Sequence, residues 1–245
     1  MPSNRDTLEQ RYSRFLQRQG EDWCRKCASV CRERRRALQR LRKLGIVTVA
    51  DLLEQFPGLS QRLKHSALDL IAILKIRQAV PVLFAALEEK SVRLKCADIL
   101  GQFCPAKATR FFHKIAQREL ESNRPDSSWL NAAIHATGYS DLGQATELLV
   151  SIFERGDLPG TIRGDAGDKL GCCEFDRRTR LYRRCRDAVI RGLSEDSIHI
   201  QFWSMYVIAS LCNVAGSRQT IDRAFRSALP RLREIAKHDH RLAQG

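Results

Sequence analysis

The 245 residues carry 42 Lys and Arg against 28 Asp and Glu, giving a formal net charge of +14 and a pI near 9.8. Arg outnumbers Lys 32 to 10, which favours forked recognition of phosphate or carboxylate over simple solubility. Residues 1–15 lack the apolar core of a signal peptide, and Asp69, Lys75, Arg77, Gln78 and Pro81 interrupt the most apolar stretch, residues 67–87, too often for a membrane span.

At the N-terminus, Leu8, Tyr12, Phe15 and Leu16 predict one amphipathic helix, and residues 23–44 predict a longer one. The longer helix carries Cys24, Cys27 and Cys31 at i, i+3 and i+7, so the three sulfurs share a face. Structural zinc normally draws on a second paired ligand set. Cys172-Cys173 is the one adjacent pair elsewhere, and nothing in the sequence brings it near. Cysteine also behaves as a small buried hydrophobe. These thiols therefore read as core packing, with no metal and no cofactor expected. The nine cysteines, an odd number without disulfide-framework spacing, point to a reducing cytoplasm. Nine basic residues against the single acid Glu33 fill residues 25–43. Arg34, Arg35, Arg36, Arg40, Arg42 and Lys43 form a candidate basic patch there. Residues 44–53, from Leu44-Gly45-Ile46-Val47 to Leu53, resemble a helix-hairpin-helix turn of DNA-processing proteins. Thr48 with Asp51 is also a helix N-cap signature that accounts for the same residues.

From residue 59 onwards the sequence repeats itself. Val92-Arg93-Leu94-Lys95-Cys96-Ala97-Asp98-Ile99-Leu100-Gly101 returns as Ile162-Arg163-Gly164-Asp165-Ala166-Gly167-Asp168-Lys169-Leu170-Gly171, and a third copy begins at Ile200-Gln201. Aligned starts fall at Leu63, Val92, Trp129, Ile162 and Ile200, with gaps of 29, 37, 33 and 38 residues. Each start opens an apolar run of helical period. A second amphipathic stretch follows each, at residues 79–89, 108–120, 144–155, 177–193 and 219–237. Turn chemistry separates them, as in Asn123-Arg124-Pro125-Asp126-Ser127 and Gly156-Asp157-Leu158-Pro159-Gly160. Self-similarity at such a period marks stacked supersecondary units. The expectation is an all-α chain of about five helix pairs at residues 59–245, behind a helical cap at residues 1–58 that hides the open face of the first unit. Leu100, Leu170, Ile208, Trp129 and Trp203 are expected in its core.

Residues 79–93, Ala-Val-Pro through an amphipathic helix and an acidic turn to Val92-Arg93, resemble the HEAT-like repeat named after the phycobilisome lyases. Leu193-Ser194-Glu195-Asp196-Ser197 before Ile200 repeats the same junction. Pro81 suits a first helical turn, and Asp196 or Ser197 can cap the helix that follows. The pattern departs in units one and three, and in the fifth, where Leu130 and Gln201 stand at the position of Arg93 and Arg163. The resemblance implies a right-handed α-α superhelix, a HEAT-like solenoid of ARM-type fold. Its name also carries a bilin lyase-like or chaperone role as a further reading.

Gly160, Gly164, Gly167 and Gly171 match neither phosphate-loop pattern, and their spacing of three and four lines one helical stripe. Each interior Gly costs up to ~1 kcal/mol of helix propensity, so the stripe predicts close approach of a neighbouring helix or loop. No His-Glu pair, nucleophile elbow or zinc-protease helix is present in the sequence, and no catalytic residue is expected. The functional signal is basic. Residues 177–191 hold seven basic residues against Asp187; within them Arg177, Arg180, Arg184 and Arg191 form a stripe, with Leu181, Cys185, Ala188 and Gly192 facing the core. In the last unit Arg223, Arg226, Arg233 and Lys237 repeat the arrangement. Neighbouring stripes would focus a positive field. The sequence thus reads as a cytoplasmic, non-catalytic interaction scaffold whose concave surface receives an acidic protein partner. Nucleic acid bound through its phosphates is the alternative.

Overall fold

The computed structural model describes residues 6–138, 143–173, 175, 176, 178–212 and 230. They form twelve α-helices joined by turns and two single 3-10 turns, and their one β-type contact is an isolated bridge between Thr7 and Thr48. The chain is all-α in these residues, and none of their helices is long and apolar enough to cross a membrane. Two compact units divide it, Met1–Phe103 and Cys104–Gly245.

The first unit opens with α1 (Leu8–Lys26), which kinks at Gly20 (φ 79°, ψ 166°), and α2 (Ala28–Lys43), which packs on α1. Leu8 and Tyr12 of α1 and Cys31, Ala37, Leu38 and Leu41 of α2 are buried at helical spacing. Next comes α3 (Val49–Gln55), entered through a capping box. Asp51 N–H donates to the Thr48 hydroxyl at 3.2 Å, and Thr48 N–H donates to the Asp51 carboxylate at 2.7 Å. The backbone N–H groups of Thr48 and Val47 hold the Asp51 carboxyl below its usual range. The cap forms as its sequence signature indicates, within the turn that joins α2 to α3. Then α4 (Gln61–Ile73) packs on α2, and α5 (Val80–Ala86), with Pro81 in its first turn, packs with α4's neighbour α6 (Lys90–Phe103).

The second unit contains α7 (Pro105–Glu121), α8 (Ser127–Thr137), α9 (Gly143–Glu154), α10 (Gly160–Gly171), α11 (Arg180–Gly192) and α12 (Ile198–Cys212). Asp126 caps α8 by accepting from Ser128 N–H at 2.8 Å, and Thr179 caps α11 by accepting from Tyr182 N–H at 3.2 Å. Alternate helices form two rows. In one row α8 packs on α10 and α10 on α12; in the other α7 packs on α9 and α9 on α11. Each helix of the second row also packs on the next of the first: α7 on α8, α9 on α10, α11 on α12. Leu148, Leu149, Val150, Ile152 and Phe153 of α9 are all buried, each contributing about 1.5–3 kcal/mol by removal from water. Every predicted repeat start is the third residue of a first helix: Leu63 in α4, Val92 in α6, Trp129 in α8, Ile162 in α10 and Ile200 in α12. The fifth second helix, expected at residues 219–237, lies outside the described residues except for residue 230. Leu100, Leu170 and Ile208 are buried as expected, whereas Trp129 and Trp203 are only half-buried. An indole this large at the edge of a row covers its neighbours without being enclosed.

The residue after each start is buried, and in four of the five units it is basic or polar. Arg93 donates from Nε to Leu87 O at 2.8 Å, at the end of α5. Arg163 donates from Nε to Phe153 O of α9 at 2.8 Å, and its other two nitrogens grip both carboxylate oxygens of Glu195 at 2.6 and 2.7 Å. Gln201 donates to the Glu195 carbonyl. Lys64 donates to Glu89 at 2.5 Å, which draws the Glu89 carboxyl below its usual range. Where Leu130 breaks the pattern, Arg155 supplies the guanidinium instead, donating to Leu120 O in the last turn of α7. The final carbonyls of a helix have no partner within it, and Arg93, Arg155 and Arg163 provide one.

The glycine stripe lies against α12. A methyl group on Gly164 would sit 2.8 Å from the Trp203 ring, and one on Gly167 would sit 2.7 Å from Trp203 Cβ and 3.1 Å from the Phe153 ring. One on Gly171 would meet the Tyr206 ring at 2.1 Å. Two helices this close tolerate a side chain only where the opposing atoms can move. Trp203 Cβ is fixed to its backbone, whereas the exposed Tyr206 ring can shift toward solvent at the cost of its edge contact with Trp203 at 5.5 Å. Gly167→Ala should therefore destabilise the protein by about 1–3 kcal/mol through overpacking. Gly171→Ala should cost less, because a helix-propensity gain of up to ~1 kcal/mol offsets part of the displaced Tyr206 contact. Urea denaturation of the two variants compares them; equal losses would contradict the contact.

Candidate partner-binding surface

The amphipathic helix α11 turns Tyr182, Cys185, Ala188, Val189 and Gly192 into the core. Of the four residues expected there, Cys185, Ala188 and Gly192 are buried and Leu181 is half-buried. The opposite face carries Arg180, Arg183, Arg184 and Arg191, which with Glu154 and Asp187 line an open depression of about 460 Å³. Glu154 ends α9, and two guanidinium groups converge on it. Arg184 Nε donates to Glu154 Oε2 at 2.7 Å, and Arg191 donates to Oε1 at 3.4 Å. Arg184 also donates to the Ser151 hydroxyl at 3.0 Å. Arg184 and Glu154 are partly covered, while Arg191 is mostly exposed. Arg180 and Arg183 are exposed beside them.

The structure thus brings Arg180, Arg184 and Arg191 to one face. Arg177, Arg223, Arg226 and Arg233 lie outside the described residues, as does the neighbouring stripe of the last unit. Sequence reasoning missed Glu154, Ser151 and Arg183. The first two sit on another helix some thirty residues away, and Arg183 sits one position off the stripe chosen.

On the first unit, Arg35, Arg36, Arg40, Arg42 and Lys43 of α2 are exposed and Arg34 is half-buried. Arg42 reaches Glu9 at 3.3 Å. Arg40 and Lys43 share a shallow depression of about 530 Å³ with Arg62 of α4. Of the thiol cluster, Cys31 is buried and Cys27 half-buried; the Cys24 side chain lies outside the described residues. Among the described residues no group of three or more His, Cys, Asp or Glu side chains is placed to hold a metal ion.

Comparison with known proteins returns no match among family models, curated sequences or solved structures.

The thiols differ sharply in environment. Burial pushes the Cys96 thiol up to about 12 and raises that of Cys185 as well, while Cys172 is exposed, with its sulfur 4.0 Å from the Tyr206 hydroxyl. The thiolate is the nucleophile, so alkylation of the native protein near pH 8 should label Cys172 and spare Cys96 and Cys185. Peptide mapping by mass spectrometry reads this directly; early labelling of Cys185 would mean that α11 does not cover it.

Proposed function

We propose that the chain is a non-catalytic helical-repeat scaffold that receives an acidic protein segment on the Arg face of α11. The observation that supports this reading is the convergence of Arg184 and Arg191 on the Glu154 carboxylate, with Arg180 and Arg183 exposed alongside. Forked guanidinium groups match carboxylates geometrically, and Arg184 and Arg191 already hold the Glu154 carboxylate of the chain itself. A partner's Asp or Glu would engage Arg180 and Arg183 next to this fixed pair. The two packed rows of the second unit favour HEAT-like pairs, with the right-handed superhelix and concave surface that this repeat implies. The reading keeps the protein in the cytoplasm, on an odd number of cysteines without disulfide-framework spacing.

Nucleic acid is the second reading, and the exposed arginines of α2 favour it. Phosphate contacts are sequence-independent and strongly salt-dependent. Fluorescence anisotropy with a labelled glutamate-rich peptide and a labelled single-stranded DNA separates the two. The peptide should bind, and binding should weaken steeply from about 0.05 to about 0.3 M salt, as charges beyond a Debye length become screened. Arg180→Ala with Arg183→Ala should weaken it roughly tenfold at unchanged stability, because exposed positions contribute little to folding. Peptide binding that ignores this double substitution would refute the site, and tighter binding of DNA would favour the second reading.

A further inference from the structure

A basin on the first unit is lined by cations around an apolar floor. Its volume is about 720 Å³, and Arg11, Arg14, Phe15 and Arg18 of α1 face Leu74 and Lys75 across it, at the end of α4. That volume is in the range of small-molecule sites. The lining residues include four cations and no carboxylate; Asp6, which is not among them, holds Arg14 at 2.5 Å. Arg11, Arg14 and Arg18 stand at i, i+3 and i+7 with Phe15 between them, so one face of α1 offers guanidinium groups on either side of a ring. Phe15 is half-buried and held by Tyr12, stacked at 6.1 Å, and by Trp23, edge-on at 5.6 Å. A ring already fixed in place costs little further ordering when a ligand lands on it.

The backbone adds an independent observation. The chain leaves α4 by a Schellman turn: Lys75 N–H donates to Ala72 O at 3.2 Å, and Ile76 N–H donates to Ile71 O at 3.0 Å. The same turn ends α2, with Gly45 N–H to Arg42 O and Ile46 N–H to Leu41 O, both 3.0 Å. After α2 the left-handed position is a glycine (φ 77°), the residue that takes it without strain. After α4 it is Lys75 (φ 51°), among the described residues the one non-glycine with positive φ. A side chain there works against stability, and it places an ammonium group at the rim of the basin. Strain of this kind concentrates at ligand sites.

We propose that this basin binds a small organic phosphate of mononucleotide size. The phosphate is held by Arg11, Arg14, Arg18 and Lys75, and a planar apolar group rests on Phe15 and Leu74. A dianion matches several cations, and the guanidinium fork matches phosphate oxygens in pairs. The apolar floor discriminates against inorganic phosphate, which cannot use it.

Isothermal titration calorimetry of the full chain with AMP, inorganic phosphate and adenosine tests the site. AMP should bind with submillimolar affinity, at least about tenfold tighter than either fragment, because both halves of the basin contribute to the free energy. Arg18→Ala and Lys75→Gly should each weaken AMP binding roughly tenfold. Lys75→Gly should at the same time raise the melting temperature by roughly 2–4 °C, since it relieves the left-handed backbone. That pairing separates loss of the site from loss of the fold. No AMP binding at millimolar concentration would overturn the proposal. So would affinity unchanged in both variants, or a fragment that binds as tightly as AMP.

Discussion

Most of the repeated helices share one interaction, a basic or polar side chain that bonds a carbonyl at or just beyond the end of an earlier helix. Arg163 shows it most fully. Its guanidinium lies 5.7 Å from the centre of the Phe153 ring, bonds the Phe153 carbonyl, and clasps Glu195 beyond the end of α11. Gln201 of α12 then takes the Glu195 carbonyl, so successive first helices are tied in sequence to the ends of second helices. The physical need is plain. A helix C-terminus presents unpartnered carbonyls and the negative end of its dipole. Buried between rows, those groups would cost more than the net value of an ordinary hydrogen bond. A guanidinium has five donors and keeps its charge, so one side chain can serve carbonyl and carboxylate together.

The fixed spacing has consequences on both sides of each helix. With α10 anchored to α9 and α11 through Arg163, its glycine stripe meets α12 at a separation where Trp203 rests on the backbone itself. The same arrangement sorts the arginines by role. Arg93 and Arg163 are interior and structural, Arg155 is half-covered and bridges Leu120 to Asp157, and Arg180, Arg183 and Arg191 are left on the surface. The Asp157 carboxyl, bonded by Arg155, is held down at about 2, so that surface bridge persists through mildly acidic conditions. A net charge of +14 is therefore not one property, and only part of it is available to a partner.

Much of this was legible from spacing because spacing is what packing selects. The repeat register located the third residue of five helices, Thr48 and Asp51 announced a cap, and four glycines in a helical stripe announced a close neighbour. What escaped the sequence depends on pairs distant along the chain. Glu154 meets Arg184 only because α9 packs on α11, and Arg155 replaces the missing arginine of unit three from a place that no alignment of the repeats would inspect. Lys75 was unreadable for a different reason. A glycine after a helix signals a left-handed turn, as Gly45 does, whereas a lysine there looks like any other surface lysine. The tryptophans were misjudged because their size suggests burial while their positions in α8 and α12 leave part of each ring uncovered.

A double-mutant cycle on Arg163 and Glu195 tests the tie between repeats most directly. Stability would be measured by urea denaturation for Arg163→Ala, Glu195→Ala and the pair. Glu195 is about one-third exposed, which screens part of the attraction, so a coupling of about 1.5–3 kcal/mol is predicted rather than the larger cost of breaking a fully buried pair. Arg163→Ala should lose more than Glu195→Ala, since it also abandons the Phe153 carbonyl. A coupling near zero, or losses in the opposite order, would show that the helices are held together without this side chain and would contradict the account.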